Sequence, residues 1–207
     1  MNRVQVIGLP QSNFVWSVRI ALAEKGVTHE NVPAPPHSPE ASAVHPLGKI
    51  PALRHGDVAL AESRAIVDYV DRTFDGPPLI PADPLGRARN DQWTAIVISS
   101  IEPVLVRQYL FAYMFPGTED GAPDRPRIEA ALPKVDQALD ALERGLADGE
   151  IGGAFGRVDA FLVPILFYLR STPEGGPALA ARRHLAAYLD THLERSSVAS
   201  TMPRLVD

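Results

Sequence analysis

The chain has 207 residues, 45% of them hydrophobic and 22% charged, with a net charge of -5, which suits one generous domain or two small ones able to bury a core. Its basic residues are scattered and form no stripe, so nucleic acid is excluded as a partner. With 0 cysteines there are no disulfides, thiolate metal sites, Cys-x-x-Cys redox pair or cysteine nucleophile.

The start Met-Asn-Arg-Val-Gln-Val-Ile-Gly-Leu-Pro reaches a turn too early for a signal-peptide core, and the other apolar runs fall short of a membrane span. The expectation is a soluble cytoplasmic chain with no membrane partner. Prolines cluster at segment boundaries, and no repeat or low-complexity tract is present.

In chain order, Val4 to Ile7 is a short β-type run closed by Gly8-Leu-Pro10, and Phe14 to Lys25 carries apolar residues at helical spacing before the stop at Gly26. Thr28 to Val32 predicts a second strand, ended by Pro33-Ala-Pro-Pro36, and Ser38-Pro-Glu opens a short helix. Ala52 to Arg54 and Val58 to Leu60 flank His55-Gly-Asp57 as a hairpin. Ser63 to Thr73 predicts a helix with Ala65, Ile66, Val67, Tyr69 and Val70 mostly inward. The order β-α-β-α-β-β-α joins a parallel unit to an antiparallel hairpin, and a thioredoxin-like domain is the simplest fit.

The stretch from Asp75 to Pro84 is turn-rich and aperiodic, a linker, and the chain beyond it is helical. Arg87 to Phe115 carries the stripe Trp93, Ile96, Val97, Ser100, Ile101, Val104, Gln108 and Tyr109, with a kink expected at Pro103. Ile128, Leu132, Val135, Leu139, Leu142 and Leu146 recur at bundle-helix spacing. Phe161 to Arg170 is apolar on most sides, and Leu179 to Leu189 makes a last helix. The expected organisation is an α/β thioredoxin-like domain over residues 1–78, a linker over 79–86 and an all-α domain over 87–207.

Several polar residues stand where chemistry is possible. Ser12 precedes the first helix and reads either as its N-cap or as a hydroxyl donor to an anion at the helix end. No histidine lies in a pattern suggesting a triad, so Ser12 has no base to make it a nucleophile. Ile50-Pro51 is an ordinary trans bond entering a strand, or a cis turn that offers the Ile50 backbone to a peptide-like ligand. Glu62-Ser63 opens a helix and either caps it or takes the ammonium and carboxylate of a ligand. The remaining histidines show no ligand spacing, and no metal is assigned.

Three ordered segments carry a resemblance: Gly8-Leu-Pro-Gln-Ser-Asn-Phe-Val-Trp-Ser-Val-Arg-Ile-Ala-Leu-Ala-Glu-Lys-Gly26, Gly48-Lys-Ile-Pro-Ala-Leu53 and Glu62-Ser-Arg-Ala-Ile66. They resemble the glutathione-site segments of cytosolic glutathione transferases, closest to the serine-type phi and tau classes and to a bacterial-type member. Gly153-Ala-Phe-Gly-Arg-Val-Asp-Ala-Phe161 is similar to the family's helix-capping box, with Gly156 in place of the usual Ser or Thr. Ser17 stands where tau-class relatives carry an arginine.

The resemblance implies an enzyme that conjugates the glutathione thiolate to a hydrophobic electrophile. Ser12 would stabilise the thiolate, and the Ile50 backbone before a cis Pro51 would pair with the cysteinyl part. Glu62 and Ser63 would hold the γ-glutamyl end. Lys49 and His37 are candidates for the glycine carboxylate, though each also reads as a solvated loop residue. Leu9, Phe14, Tyr109 and Tyr113 are candidates for the electrophile pocket, against a plain core reading. No cofactor beyond glutathione is implied, and a homodimer is expected with Arg64 to Asp71 near the long helix of the next chain. Two alternatives keep the fold: a glutathione-dependent isomerase, dehalogenase or peroxidase, and a non-catalytic protein-interaction module.

Overall fold

Strand β1 (Val4–Ile7), paired on both edges, is buried at Val4, Val6 and Ile7. The computed structural model describes residues 3–119 and 121–204, so the outermost ends of the expected domains lie outside the described residues. Helix α1 (Asn13–Glu24) follows, then β2 (His29–Val32), α2 (Pro39–Ser42), β3 (Ala52–His55), β4 (Val58–Ala61) and α3 (Ser63–Thr73). Each observed bound lies within a residue of its sequence expectation.

The sheet order is β2-β1-β3-β4, with β1 parallel to β2 and antiparallel to β3, and β3 antiparallel to β4. Its register puts Ile7 opposite both Val32 and Ala52, and Ala52 opposite Ala61. These four residues form one row across one end of the sheet. α1 and α3 pack together, burying Val15, Trp16, Val18 and Leu22 of the first and Ile66, Val67 and Val70 of the second. Ala65 is exposed and Tyr69 half-buried, so the inward face of α3 is narrower than expected.

The chain divides into one unit of Met1–Pro81 with Glu194–Asp207 and another of Ala82–Leu193. This differs from the expected all-α domain over 87–207 in the placement of the last segment. There Arg195 makes a bidentate pair with Glu24 at 2.5 and 2.8 Å, Ser197 donates to the same carboxylate, and the Trp16 indole N–H donates to Thr201 Oγ1 at 2.9 Å. The short helix α10 (Ser196–Ala199) thereby rests on α1.

In the second unit α4 (Pro84–Ile96) starts at an Asp83 cap whose Oδ1 accepts the Gly86 N–H at 2.7 Å. The helix continues through π-helical stretches at Val97–Ile101 and Pro103–Leu110 into α5 (Phe111–Met114). Proline removes one backbone donor and crowds the preceding turn, and wider turns on both sides are how this helix accommodates Pro103. They also shift the buried stripe to Trp93, Val97, Ile101, Leu105, Val106, Tyr109 and Leu110, leaving Ser100 exposed and Val104 and Gln108 half-buried.

Pro84–Met114 is, among the described residues, the one helix long and apolar enough by composition to cross a membrane. Its apolar stripe is the side that meets α6 (Arg125–Ala147) and α7 (Arg157–Arg170), as in the central helix of a bundle. α7 is buried almost all round, from Arg157 to Leu169. Arg157 itself is fully buried, its Nη2 donating to Asp91 at 2.6 Å and its Nε to Thr94 Oγ1 at 3.1 Å.

The helix expected over Leu179 to Leu189 is two, α8 (Gly175–Ala180) and α9 (Arg183–Leu193). At the break the Arg182 N–H bonds the Leu179 C=O at 3.0 Å, while the Ala178 C=O that a continuing helix would use accepts from Arg182 Nη1 at 2.7 Å; the same guanidinium also bonds Asp140 and Asp136. Gly156 precedes α7 with no side chain to cap it, but its N–H donates to Asp159 Oδ2 at 2.7 Å, giving half of the reciprocal cap. Tyr188 donates to the other Asp159 oxygen at 2.6 Å, while burial pushes that carboxyl's pKa up.

Candidate glutathione site

The row Ile7, Val32, Ala52, Ala61 decides where the chemistry-bearing segments meet. Residues 8–12 leave the sheet after Ile7, the loop with His37 leaves after Val32, Lys49-Ile50-Pro51 enters just before Ala52, and Glu62-Ser63 follows Ala61. All four segments therefore start from the same end of one sheet.

Ser12 is the N-cap of α1, with φ -65 and ψ 128, and its C=O accepts the Trp16 N–H at 2.9 Å. Its Oγ lies 3.5 Å from the Val15 N–H, a long and weak capping contact. Among the described residues Ser12 Oγ donates to nothing, so its proton is available to a ligand. No acidic residue occupies the first turn of α1 to offset the positive helix end. Ser17, where tau-class relatives carry an arginine, is fully buried and donates to the Asn13 C=O at 2.9 Å, so it brings no charge to the site.

Gly8 explains how the Ile50 segment approaches α1. It has φ 151, and a Cβ there would come within 3.2 Å of Ile50 Cβ, besides striking Val15. The Ile50-Pro51 bond is cis, as the resemblance implied, and Pro51 is buried while Ile50 is half-buried. Among the described residues neither the N–H nor the C=O of Ile50 is engaged in a backbone hydrogen bond. Lys49 is exposed and forms no ion pair among the described residues. His37 is exposed at φ 65, and its N–H donates to the Gly48 C=O at 2.6 Å, which lays its loop beside Lys49.

Glu62 is the N-cap of α3 with φ 69 and ψ 115, and no side chain caps that helix. The capping alternative for Glu62-Ser63 is thereby removed. Ser63 is buried, and its Oγ bonds nothing among the described residues. A helix N-terminus with an uncommitted hydroxyl is suited to a carboxylate. Beside it Glu62 holds a carboxylate that is 71% exposed. His45, which has no metal-ligand spacing to mark it in the sequence, reaches Glu62 Oε1 through Nε2 at 3.2 Å. Its place at the head of the His45-Pro-Leu-Gly run was the available signal.

Of the apolar candidates, Leu9 is 37% exposed and Phe14 half-buried, both within the first unit. Tyr109 is different: it has no exposed surface, so its ring cannot line an open cleft. Its hydroxyl accepts the Gly175 N–H at 3.1 Å and donates within a cluster of Thr172 and Glu174. Tyr113 also donates to Glu174, and its ring packs edge-on against Tyr109 at 5.5 Å. Burial pushes both phenols' pKa values up. Among the described residues no group of three His, Asp or Glu side chains gathers as a metal site.

Residues 6–78 match the family described as "Glutathione S-transferase, N-terminal domain", and residues 125–191 match "Glutathione S-transferase, C-terminal domain". A glutathione S-transferase of Silene vulgaris is 31% identical over 211 residues, covering 96% of this chain and 96% of that protein. The chain belongs to the glutathione S-transferase family. Glutathione transferase F7 of Populus trichocarpa superposes with a TM-score of 0.85 at 27% identity, over 96% of this chain and 97% of that one. A glutathione S-transferase-I bound with lactoylglutathione gives 0.85 at 27% identity, over 96% and 98%. The protein is thus an enzyme, a glutathione transferase with a mixed-sheet first domain and a helical second.

Proposed function

We propose that this glutathione transferase is of the serine type, binding glutathione at the sheet end and stabilising its thiolate through Ser12. The observation that carries this reading is the row across one sheet end, from which the uncommitted Ser12 hydroxyl, the unpaired Ile50 backbone and the uncapped α3 start all extend. Glutathione matches that set group by group. Its γ-glutamyl carboxylate suits Ser63 and the α3 amides, and its ammonium suits Glu62. Its cysteinyl amide suits the Ile50 N–H and C=O in a strand-like pairing. Lys49 and His37 are within the segments left to meet the glycine carboxylate.

The chemistry follows from the thiol. A free thiol has a pKa of about 8.5, and lowering it by about two units requires about 2.7 kcal/mol of preference for the thiolate. One hydrogen bond to a charged group supplies about 1.5 to 3 kcal/mol, so the Ser12 hydroxyl together with the α1 N-terminus is sufficient. The thiolate sulfur then forms a bond to an electrophilic carbon, and the displaced electron pair leaves on the departing group or moves into the acceptor. A cysteine-free chain leaves the ligand's thiol as the sole sulfur nucleophile. Leu9 and Phe14 are the apolar surface that the first unit offers to the electrophile. Glutathione and that electrophile are the only small molecules the reaction needs, and a reduced thiol substrate suits a cytoplasmic setting.

Ser12→Ala tests the mechanism. The kinetic pKa of the bound thiol is expected to rise by about one to two units, with kcat/KM at neutral pH falling about ten- to hundredfold. Unchanged rate and unchanged thiol pKa would show that Ser12 is only a helix cap.

A further inference from the structure

Glu62 has an anchor that ligand binding alone does not require. Its backbone sits at φ 69, its side chain is 71% exposed, and Oε2 has no partner among the described residues. An exposed glutamate left to itself samples several rotamers, and ordering it on binding weakens the ligand. Against Oε1, however, stands His45, whose side chain is only 3% exposed.

The imidazole is fixed from both sides. His45 Nδ1 accepts the Leu47 N–H at 3.0 Å, so the ring proton sits on Nε2, which donates to Glu62 Oε1 at 3.2 Å. The His45 N–H donates to the Ala41 C=O at 2.8 Å, and its C=O accepts the Gly48 N–H at 2.9 Å. A turn between α2 and β3 whose imidazole is buried thus extends a rigid donor to one oxygen of a solvent-facing carboxylate.

We propose that His45 is a positioning residue for glutathione binding, holding the Glu62 carboxylate in the rotamer that meets the γ-glutamyl ammonium. The proposal rests on the reading of Glu62 as the ammonium partner. It makes the His45-Pro-Leu-Gly run and the Glu62-Ser63 pair, 17 residues apart, one binding device in which the first sets the geometry of the second.

Two substitutions separate the ring's two bonds. His45→Asn retains an acceptor near the Nδ1 position for the Leu47 N–H but is too short to reach Glu62, whereas His45→Gln places an amide donor near Nε2. The glutathione KM is expected to rise about fivefold in His45→Asn with kcat within about twofold, and to return to within about twofold of the parent in His45→Gln. Glu62→Gln is expected to raise that KM about tenfold, and adding His45→Asn to it produces no further rise.

A long-range proton–nitrogen correlation spectrum of the unsubstituted protein provides a reading that needs no His45 variant to fold. It should show the Nε2–H tautomer, with that proton's shift changing in Glu62→Gln. An Nδ1–H tautomer, additive KM effects in the double variant, or a normal KM in His45→Asn beside a raised KM in Glu62→Gln would each overturn the positioning role. A normal KM in Glu62→Gln overturns the ammonium reading itself, and the positioning role with it.

Discussion

Glu174 accepts hydrogen bonds from Tyr109 and Tyr113 and pairs with Arg125 at 2.7 Å, so one carboxylate ties the long helix, the start of α6 and the α7–α8 turn together. Burial alone raises a carboxyl pKa, but the bonds from Tyr113, Arg125 and Tyr109 outweigh it and hold Glu174 down to about 2, from 4.5. A folded-state pKa below the unfolded one stabilises the protein above pH 4.5, and that contribution is lost as the pH falls toward 2. Glu174→Gln should therefore lower Tm most above about pH 5, with the gap to the parent closing below about pH 3. A gap that stayed constant over that range would mean that the carboxylate's charge contributes nothing. Tyr109, expected from sequence to face the electrophile, thus helps to hold the helical unit together instead.

At the scale of elements, the first unit depends on its returning segment. Glu24 is 5% exposed at its side chain and pairs with Arg195, so Arg195→Ala removes the cation beside a nearly buried carboxylate. The loss is expected to be about 2 kcal/mol by chemical denaturation, below the full cost of breaking a buried pair because Arg195 is itself 39% exposed. Thr201→Val removes the hydroxyl that accepts the Trp16 indole N–H and should cost about 1 kcal/mol; no loss in either variant would show that residues 194–204 merely rest on α1.

Nothing in Leu193-Glu-Arg-Ser-Ser-Val announces this segment, because its contacts with Glu24 and Trp16 span 171 to 185 residues and the pairing has no periodicity to read. The strands and α1 were legible because Val4 to Ile7 and Phe14 to Lys25 obey simple periods closed by Gly8 and Gly26. The π-helical turns around Pro103 were not, since proline signals only that regular bonding fails there and leaves the remedy to packing. In the site, the motifs identified Ser12, Ile50-Pro51 and Glu62-Ser63 as candidates, while His45 lay hidden because its role depends on a contact across the fold. Arg182, between α8 and α9, likewise reads as an ordinary surface residue until its ion pairs with Asp136 and Asp140 are seen.

For the molecule as a whole, the proposed glutathione site is built entirely from the first unit, so glutathione binding does not by itself require a second chain. Dimerisation is a separate expectation, drawn from the family resemblance, and it belongs to the outward side of α3. Arg64 and Ala65 are exposed there, on the turn next to Ser63. Wild-type protein at micromolar concentration should sediment at twice the chain mass, and Ala65→Glu, which adds bulk and charge to a small exposed position, should shift it toward the monomer. Because Ser63 is the neighbouring residue, loss of the partner should also raise the glutathione KM about two- to threefold, through a less ordered start of α3. A monomer in the wild type removes the dimer; a variant that dissociates with an unchanged KM separates assembly from the site.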